Sequence, residues 1–505
     1  MHREWEHLHV YRVEELMRAH EITRGPRGRG LRRLLMLGLA TLVVGCTGKE
    51  TEGGDFGDLG ELSPAPCGPL ASGQVEGKTA ACGFLEVPVD WDAPSADRYR
   101  LHVTWLKAAS ATGLKALVLL GGPGDVTDQF VGNSTPAFVN ALGHDLIFFD
   151  QRGTGRSQPA PRCDELAGLE LTAYGPALAA CKARLQGQGV SLDSFNTIDS
   201  AHDVDALRRA VGAQQVALVG LSYGTRLALQ TLRLHPDGVG ALVLDSVTPP
   251  HLSYLEDGGP GVDAAIDSLI QACASDPSCD AASPSLGARL DETLAGLPVP
   301  WASGPGGSLT RETYVGALIQ LQGRTPVQLG QIPGFLTQVH ADVTQAHSVS
   351  PPTSGALEQV VHPGTGYDVA MYYSVTCADT QYADPAKAAE KLASIRPGLV
   401  PYFQGLGGLI GTLCADWPKK ALDPTYFTPV GSQVPSLVLN AEFDTLTPAV
   451  WAQAAAAGLS ASTTALFPGA AHIVVTTDPS DCALGLVKEL LDAPGSTPNT
   501  ACAKQ

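Results

Sequence analysis

The stretch QVALVGLSYGTRLAL, Gln215 to Leu229, sets a serine between two glycines where an apolar strand turns into a helix. Val216, Ala217, Leu218 and Val219 form a short apolar run that suits a strand buried on both faces, and Leu227, Ala228 and Leu229 continue as helix. Between them, Gly220-Leu221-Ser222-Tyr223-Gly224 is a Gly-x-Ser-x-Gly elbow. A turn this tight strains the Ser222 backbone, leaves no room for a Cβ at either glycine, and lifts the hydroxyl above the sheet. Ser222 is therefore expected to be a catalytic nucleophile. The amide of Tyr223 then lies at a helix N-terminus, where aligned peptide dipoles favour a developing oxyanion. In a chain with 56 glycines the pentapeptide could also be a plain turn, so its flanks decide.

Upstream, residues 116–120 (ALVLL) form a second strand of the buried kind and run into Gly121-Gly122-Pro123-Gly124. Amides in such a loop, that of Gly122 among them, are placed to donate to an oxyanion, although four turn residues could equally be only a loop. Residues 145–150 (DLIFFD) give a third strand, continued by Gln151-Arg152-Gly153-Thr154-Gly155-Arg156-Ser157, and residues 241–245 (ALVLD) a fourth. Further strands are expected at 83–89 and 101–106. In residues 201–211, Val204, Leu207 and Val211 recur at helical spacing, which predicts a surface helix packing one face. His202 on that helix reads as a solvated or capping histidine. Strands alternating with helices, each candidate loop at a strand's C-terminal end, predict an α/β fold with a doubly wound, mainly parallel sheet.

From Pro249 to about Ser432 the pattern changes to helical stretches broken by Pro and Gly. An inserted, mainly helical cap over the nucleophile is expected, which would select substrates and exclude water; an independent domain is the alternative. The sheet resumes at 436–440 (SLVLN) and passes into Asp444, which could orient an imidazole or merely cap a helix. After residues 464–467 (TALF) comes His472, the only histidine beyond His362. The order Ser222, Asp444, His472 is the one used by α/β-hydrolases, with the histidine as general base and acid and the aspartate holding its tautomer.

Gly-Gly-Pro-Gly, then Asp-Gln-Arg-Gly-Thr-Gly-Arg-Ser, then Gly-Leu-Ser-Tyr-Gly-Thr, in this order and spacing, resemble the prolyl aminopeptidase and tripeptidyl aminopeptidase family of α/β-hydrolase serine peptidases. The resemblance covers roughly residues 67–502, densest at 117–249 and in the last seventy residues. It departs from many relatives at Leu119-Leu120, where they carry Asn or His before the Gly-Gly-Pro-Gly loop. It implies an exopeptidase acting on peptides with a free N-terminus. A cationic amine needs a carboxylate where water is excluded, and the resemblance places it in or beside the cap. The candidates are Glu256, Glu292, Glu312, Glu358 and Asp379, with Glu442 on the sheet side. An esterase or lactonase would use the same triad, and an inactive hydrolase fold serving as a surface binding protein would require a lost triad member.

Five arginines between Arg24 and Arg33 precede an apolar run at 34–44 that is too short to span a bilayer, the pattern of an export signal. The run ends in Val44-Gly45-Cys46, similar to the lipobox of bacterial lipoproteins, so Cys46 is the expected lipidation site, with ordinary secretory cleavage as the alternative. Setting Cys46 aside leaves ten of the eleven cysteines, an even number for an oxidising compartment. Nearest neighbours would pair Cys67 with Cys82, Cys163 with Cys181, Cys273 with Cys279, Cys377 with Cys414 and Cys482 with Cys502. No cysteine or histidine spacing suggests zinc, and the mechanism needs no cofactor or metal. The expected organisation is a signal peptide at 1–45, a lipid-anchored linker at 46–66, the hydrolase core at 67–248 and 433–505, and the cap at 249–432. Outside the first 45 residues, 25 basic side chains face 46 acidic ones, a net charge of −21 that repels nucleic acid. The protein is thus expected to be exported to a bacterial cell envelope, held to the membrane only through its lipid. The sequence leaves its oligomeric state open.

Overall fold

Six consecutive buried positions in the strand Val216–Leu221, four in Leu146–Phe149 and four of five in Lys115–Leu119 mean that the middle of the sheet is covered on both sides. The structure, a computed structural model, describes residues 59–70, 73–108, 113–132, 142–166, 174–324, 331–361 and 368–504. Cys46 and the export signal lie outside the described residues. The strands are β1 (Ser63–Pro64), β2 (Ala80–Pro88), β3 (Arg98–Leu106), β4 (Lys115–Leu119), β5 (Leu146–Phe149), β6 (Val216–Leu221), β7 (Val239–Asp245), β8 (Val299–Pro300), β9 (Ser308–Leu309), β10 (Ser436–Ala441) and β11 (Ser462–Phe467). Nine of them form one sheet in the order β1-β2-β3-β5-β4-β6-β7-β10-β11. From β5 to β11 every pairing is parallel, and β1, β2 and β3 add an antiparallel edge.

Side chains alternate across each strand, so one apolar run feeds two cores. Leu117, Leu119, Leu218, Leu242 and Leu244 pack on one face. Ala116, Val118, Ala217, Val219, Ala241 and Val243 pack on the other. Each fully buried Leu or Val contributes about 1.5–3 kcal/mol relative to an exposed one, so both helical layers are held chiefly by these strands.

The helix expected at 201–211 runs over Thr197–Ala210, capped by Asn196, whose side chain accepts the Asp199 amide. It is not a one-faced surface helix, because Asp199 and Asp203 are also buried. The reason lies fifty residues earlier: Arg152 is wholly buried and its Nη2 and Nε donate to Asp203 at 2.6 and 2.7 Å. Burial alone would weaken the guanidinium charge, but Asp203 and Asp199 hold the Arg152 pKa above its ordinary value. Arg152 therefore ties the loop after β5 to this helix rather than serving the chemistry. Half-buried His202 bonds His235 at 2.9 Å.

Among the described residues between β7 and β10, the only strands are the small β8–β9 pair, and the regular structure is otherwise helical, with helices including Tyr254–Ser275, Leu286–Gly296, Arg311–Arg324, Gln331–Ala341, Val369–Asp379 and Val400–Ala415. It owns a third apolar cluster, with Val262, Ile266, Leu290, Trp301, Tyr314 and Leu318, which Phe443 joins from the segment after β10. Five disulfides join Cys67–Cys82, Cys163–Cys181, Cys273–Cys279, Cys377–Cys414 and Cys482–Cys502.

Candidate active site

β6 ends at Leu221 and the helix Tyr223–Leu234 begins two residues later, so Ser222 alone makes the turn, with φ 57° and ψ −125°. Such strain costs on the order of 1–3 kcal/mol and persists only where the surroundings impose it. The flanking glycines show how. A Cβ on Gly224 would lie 1.9 Å from the Leu119 carbonyl oxygen, and one on Gly220 would lie 2.6 Å from the Gly224 carbonyl oxygen. Main chain fills both places, so only glycine fits.

His472 reaches Ser222 from the loop after β11. Its Nε2 lies 2.9 Å from Ser222 Oγ and its Nδ1 2.8 Å from Asp444 Oδ2. Asp444 is fully buried: Oδ1 accepts the amides of Leu446 (2.8 Å) and Thr447 (3.0 Å), and Oδ2 accepts the Thr447 hydroxyl (2.6 Å). A carboxylate can only accept, so the Nδ1–H of His472 donates to it and Nε2 is left to accept the Ser222 hydroxyl proton. That arrangement can generate an alkoxide nucleophile and later return the proton to a leaving group.

Two further groups hold the histidine. Asp245, fully buried at the end of β7, accepts the amides of Val474 and Val475 at 2.9 and 2.8 Å, and Ser246 Oγ accepts that of Ile473 at 2.8 Å. Ser246 and Ile473 both have positive φ, 61° and 66°, so strain gathers where the loop is pinned. Burial pushes the Asp245 carboxyl up to about 6, against the pull of these amides. The second support is the C-terminal half of the helix Arg311–Arg324, whose last four carbonyls lack internal partners. Ile319 O accepts the Thr445 hydroxyl (2.7 Å), Gly323 O accepts the His472 amide (2.8 Å), and Gln322 Nε2 donates to Phe443 O (3.0 Å). The helical segment thus grips both the aspartate and the histidine loops.

The loop of Gly121 and Gly122 packs directly on the nucleophile, since a Cβ on Gly121 would lie 2.8 Å from Ser222 Cβ. Tyr223 opens the helix, so its amide is a donor without a helical acceptor. Its side chain is buried and bonded to Thr197 at 2.9 Å, leaving the amide as the part offered to the site. The half-buried Tyr254 hydroxyl is pushed well above its ordinary range, first by burial and then by the neighbouring charges of Tyr402, Tyr372 and Asp444. Among the described residues, no group of three or more His, Cys, Asp or Glu is arranged to hold a metal ion.

The proposed amine carboxylates are scattered. Glu256 accepts the Asp384 amide and lies 3.7 Å from Lys391. Glu292 pairs with His340 and its side chain is 62% exposed. Glu312 is exposed in the first turn of Arg311–Arg324, and Glu442, half-buried, follows β10. The side chain of Glu358 is outside those described. Asp379 is buried but already bonded by Arg226, Tyr426 and Thr197. A carboxylate that sequence alone does not single out is nearer: Asp125 Oδ2 lies 3.2 Å from the same notional Cβ of Gly121 that touches Ser222. Its only signal is an acidic residue directly after Gly-Gly-Pro-Gly.

The alpha/beta hydrolase fold family matches residues 115–288, and the family described as TAP-like protein matches residues 405–502. The tripeptidyl aminopeptidase of Streptomyces lividans is 30% identical over 194 residues, 34% of this chain and 36% of that protein. Serine protease Hip1 of Mycobacterium tuberculosis is 28% identical over 40% of this chain and 42% of its own length. Carboxylesterase B of the same organism is 26% identical over 76% of this chain and 78% of its own. The chain thus spans little more than a third of the length of the aminopeptidase it matches. The chain has the α/β-hydrolase fold, its C-terminal residues 405–502 match the TAP-like family, and proteins named tripeptidyl aminopeptidase and Hip1 serine protease are among its homologues.

Proposed function

We propose that this α/β-hydrolase is a serine exopeptidase that removes residues from a free peptide N-terminus through Ser222, His472 and Asp444. The observation that carries the reading is the unbroken chain of contacts from Ser222 Oγ through His472 to Asp444, at 2.9 and 2.8 Å. His472 takes the Ser222 proton as the oxygen attacks the scissile carbonyl. The amides of Tyr223 and Gly122 receive the oxyanion, and His472 protonates the leaving amine. Water then repeats the cycle on the acyl-enzyme. The relatives named aminopeptidase and serine protease support a peptide substrate. The match to a carboxylesterase over 76% of the chain favours a second reading, an esterase with the same machinery. Measuring kcat/KM for an aminoacyl anilide, its N-acetylated form and a short-chain ester separates them. The exopeptidase prefers the free-amine anilide over the acetylated one by at least about 30-fold, the scale of losing one buried charge pair. Equal rates on the two anilides would give way to the esterase.

The same reading puts the protein outside the cytoplasm, lipid-anchored through Cys46 after loss of residues 1–45. Five disulfides are in keeping with an oxidising compartment. Cys46→Ser is then expected to shift the protein from membranes to the soluble exported fraction, and an unmodified mature N-terminus by mass spectrometry would refute the anchor.

A further inference from the structure

We propose that Asp125 binds the ammonium group of the substrate's first residue, so that the enzyme releases one residue per cut. The proposal rests on the exopeptidase reading and adds the element that selects the substrate. Asp125 and Ser222 flank the same glycine: a Cβ on Gly121 would touch Ser222 Cβ at 2.8 Å and Asp125 Oδ2 at 3.2 Å. Among the described residues no donor bonds this carboxylate, and the charges that act on it are those of Arg324 and His472. His472 is committed to Asp444 and Ser222, and the exposed Arg324 donates its Nε to Gln320.

A bare carboxylate beside a forming oxyanion opposes catalysis, because like charges at such range repel. An α-ammonium group removes the conflict. In a free-amine substrate the nitrogen is separated from the attacked carbonyl carbon by a single Cα, so binding it delivers a positive charge between Asp125 and the oxyanion. Reach then sets the product length. An extended residue spans at most about 3.3–3.6 Å, so the amine of a three-residue acyl group would lie roughly 10 Å from the scissile carbonyl, past a carboxylate that flanks the nucleophile. Of the other buried or half-buried candidates, Asp379 is already bonded by Arg226, and Glu256 by the Asp384 amide and Lys391.

The test compares Asp125→Asn and Asp125→Ser with the wild type at about pH 7, where the substrate amine is still protonated, on alanine anilide, N-acetyl-alanine anilide and a short-chain nitrophenyl ester. Wild type is expected to favour the free amine, and either variant to lose at least about 30-fold in kcat/KM on alanine anilide. On the ester both variants should gain, by about tenfold, because an uncompensated anion has been removed. Mass spectrometry of a peptide digest by wild type should show single residues released. If wild type cleaves the acetylated anilide equally well, the exopeptidase reading falls. If wild type prefers the free amine but the variants keep that rate, the reading stands and the anchor is elsewhere. Equal losses on anilide and ester in both variants, or release of tripeptides, would overturn the proposal.

Discussion

Replacing Asp444 by Asn tests the geometry around the histidine at a single proton. Asp444 Oδ1 accepts two backbone amides, those of Leu446 and Thr447, so the asparagine oxygen must take that place. Its NH2 group then faces His472 Nδ1, where the carboxylate oxygen had been 2.8 Å away. The histidine is forced to accept at Nδ1 and to carry its proton on Nε2, the atom 2.9 Å from Ser222 Oγ that must act as the base. A reversed tautomer costs about 10⁴-fold in kcat, or about 5.5 kcal/mol of transition-state stabilisation. Because both amide bonds survive, stability should fall by only about 1–2 kcal/mol, the difference between a charged and a neutral acceptor. Steady-state kinetics on whichever substrate the wild type turns over, with thermal denaturation alongside, reads both numbers. A variant keeping more than about a tenth of wild-type kcat would refute the assignment of Asp444 as the tautomer-setting partner.

Gly224→Ala and Gly240→Ala separate a forced glycine from a tolerated one. The first drives a Cβ to 1.9 Å from main chain of β4, and the second to 2.9 Å from the end of the Leu114 side chain, which can turn away. Gly224→Ala should cost about 3 kcal/mol or more and Gly240→Ala under about 1 kcal/mol, read as shifts in unfolding midpoint; equal shifts would contradict the packing at the elbow. A pH profile isolates Asp125. Burial pushes its carboxyl up to about 6, with Arg324 and His472 pulling the other way. The ratio of kcat/KM for the free-amine anilide to that for the ester should therefore rise with pH through about 6, as the carboxylate forms. It should fall again above about 8 as the substrate amine loses its proton. A ratio that stays flat from about pH 5 to about pH 7 would mean the carboxylate plays no part in binding the amine.

The strands of the parallel sheet are legible in sequence because burial on both faces leaves uninterrupted apolar runs such as ALVLL and VALVGL. The elbow is legible because main chain on either side permits only glycine. What is not legible depends on partners far along the chain. Nothing near Asp199 and Asp203 announces that Arg152 will bury them, so their helix reads as a solvated one. Nothing near Asp379 announces Arg226, so it passes for an available carboxylate when it is already paired. Asp125 and Asp245 fail to stand out for the opposite reason: each ends a motif whose earlier residues already explain the turn or strand. The grip of Gln322 and Gly323 on the two loops joins segments more than a hundred residues apart and leaves no local pattern.

The central claim, that Ser222 is a nucleophile activated by His472, is tested most directly by an active-site phosphonate. A fluorophosphonate reacts with an activated serine and not with an ordinary hydroxyl. Digestion and mass spectrometry should place one phosphonyl group on the peptide carrying Ser222, with turnover lost in step with labelling. Ser222→Ala and His472→Ala should both escape the label. Labelling on a different residue, or full turnover after Ser222 is stoichiometrically modified, would contradict the account.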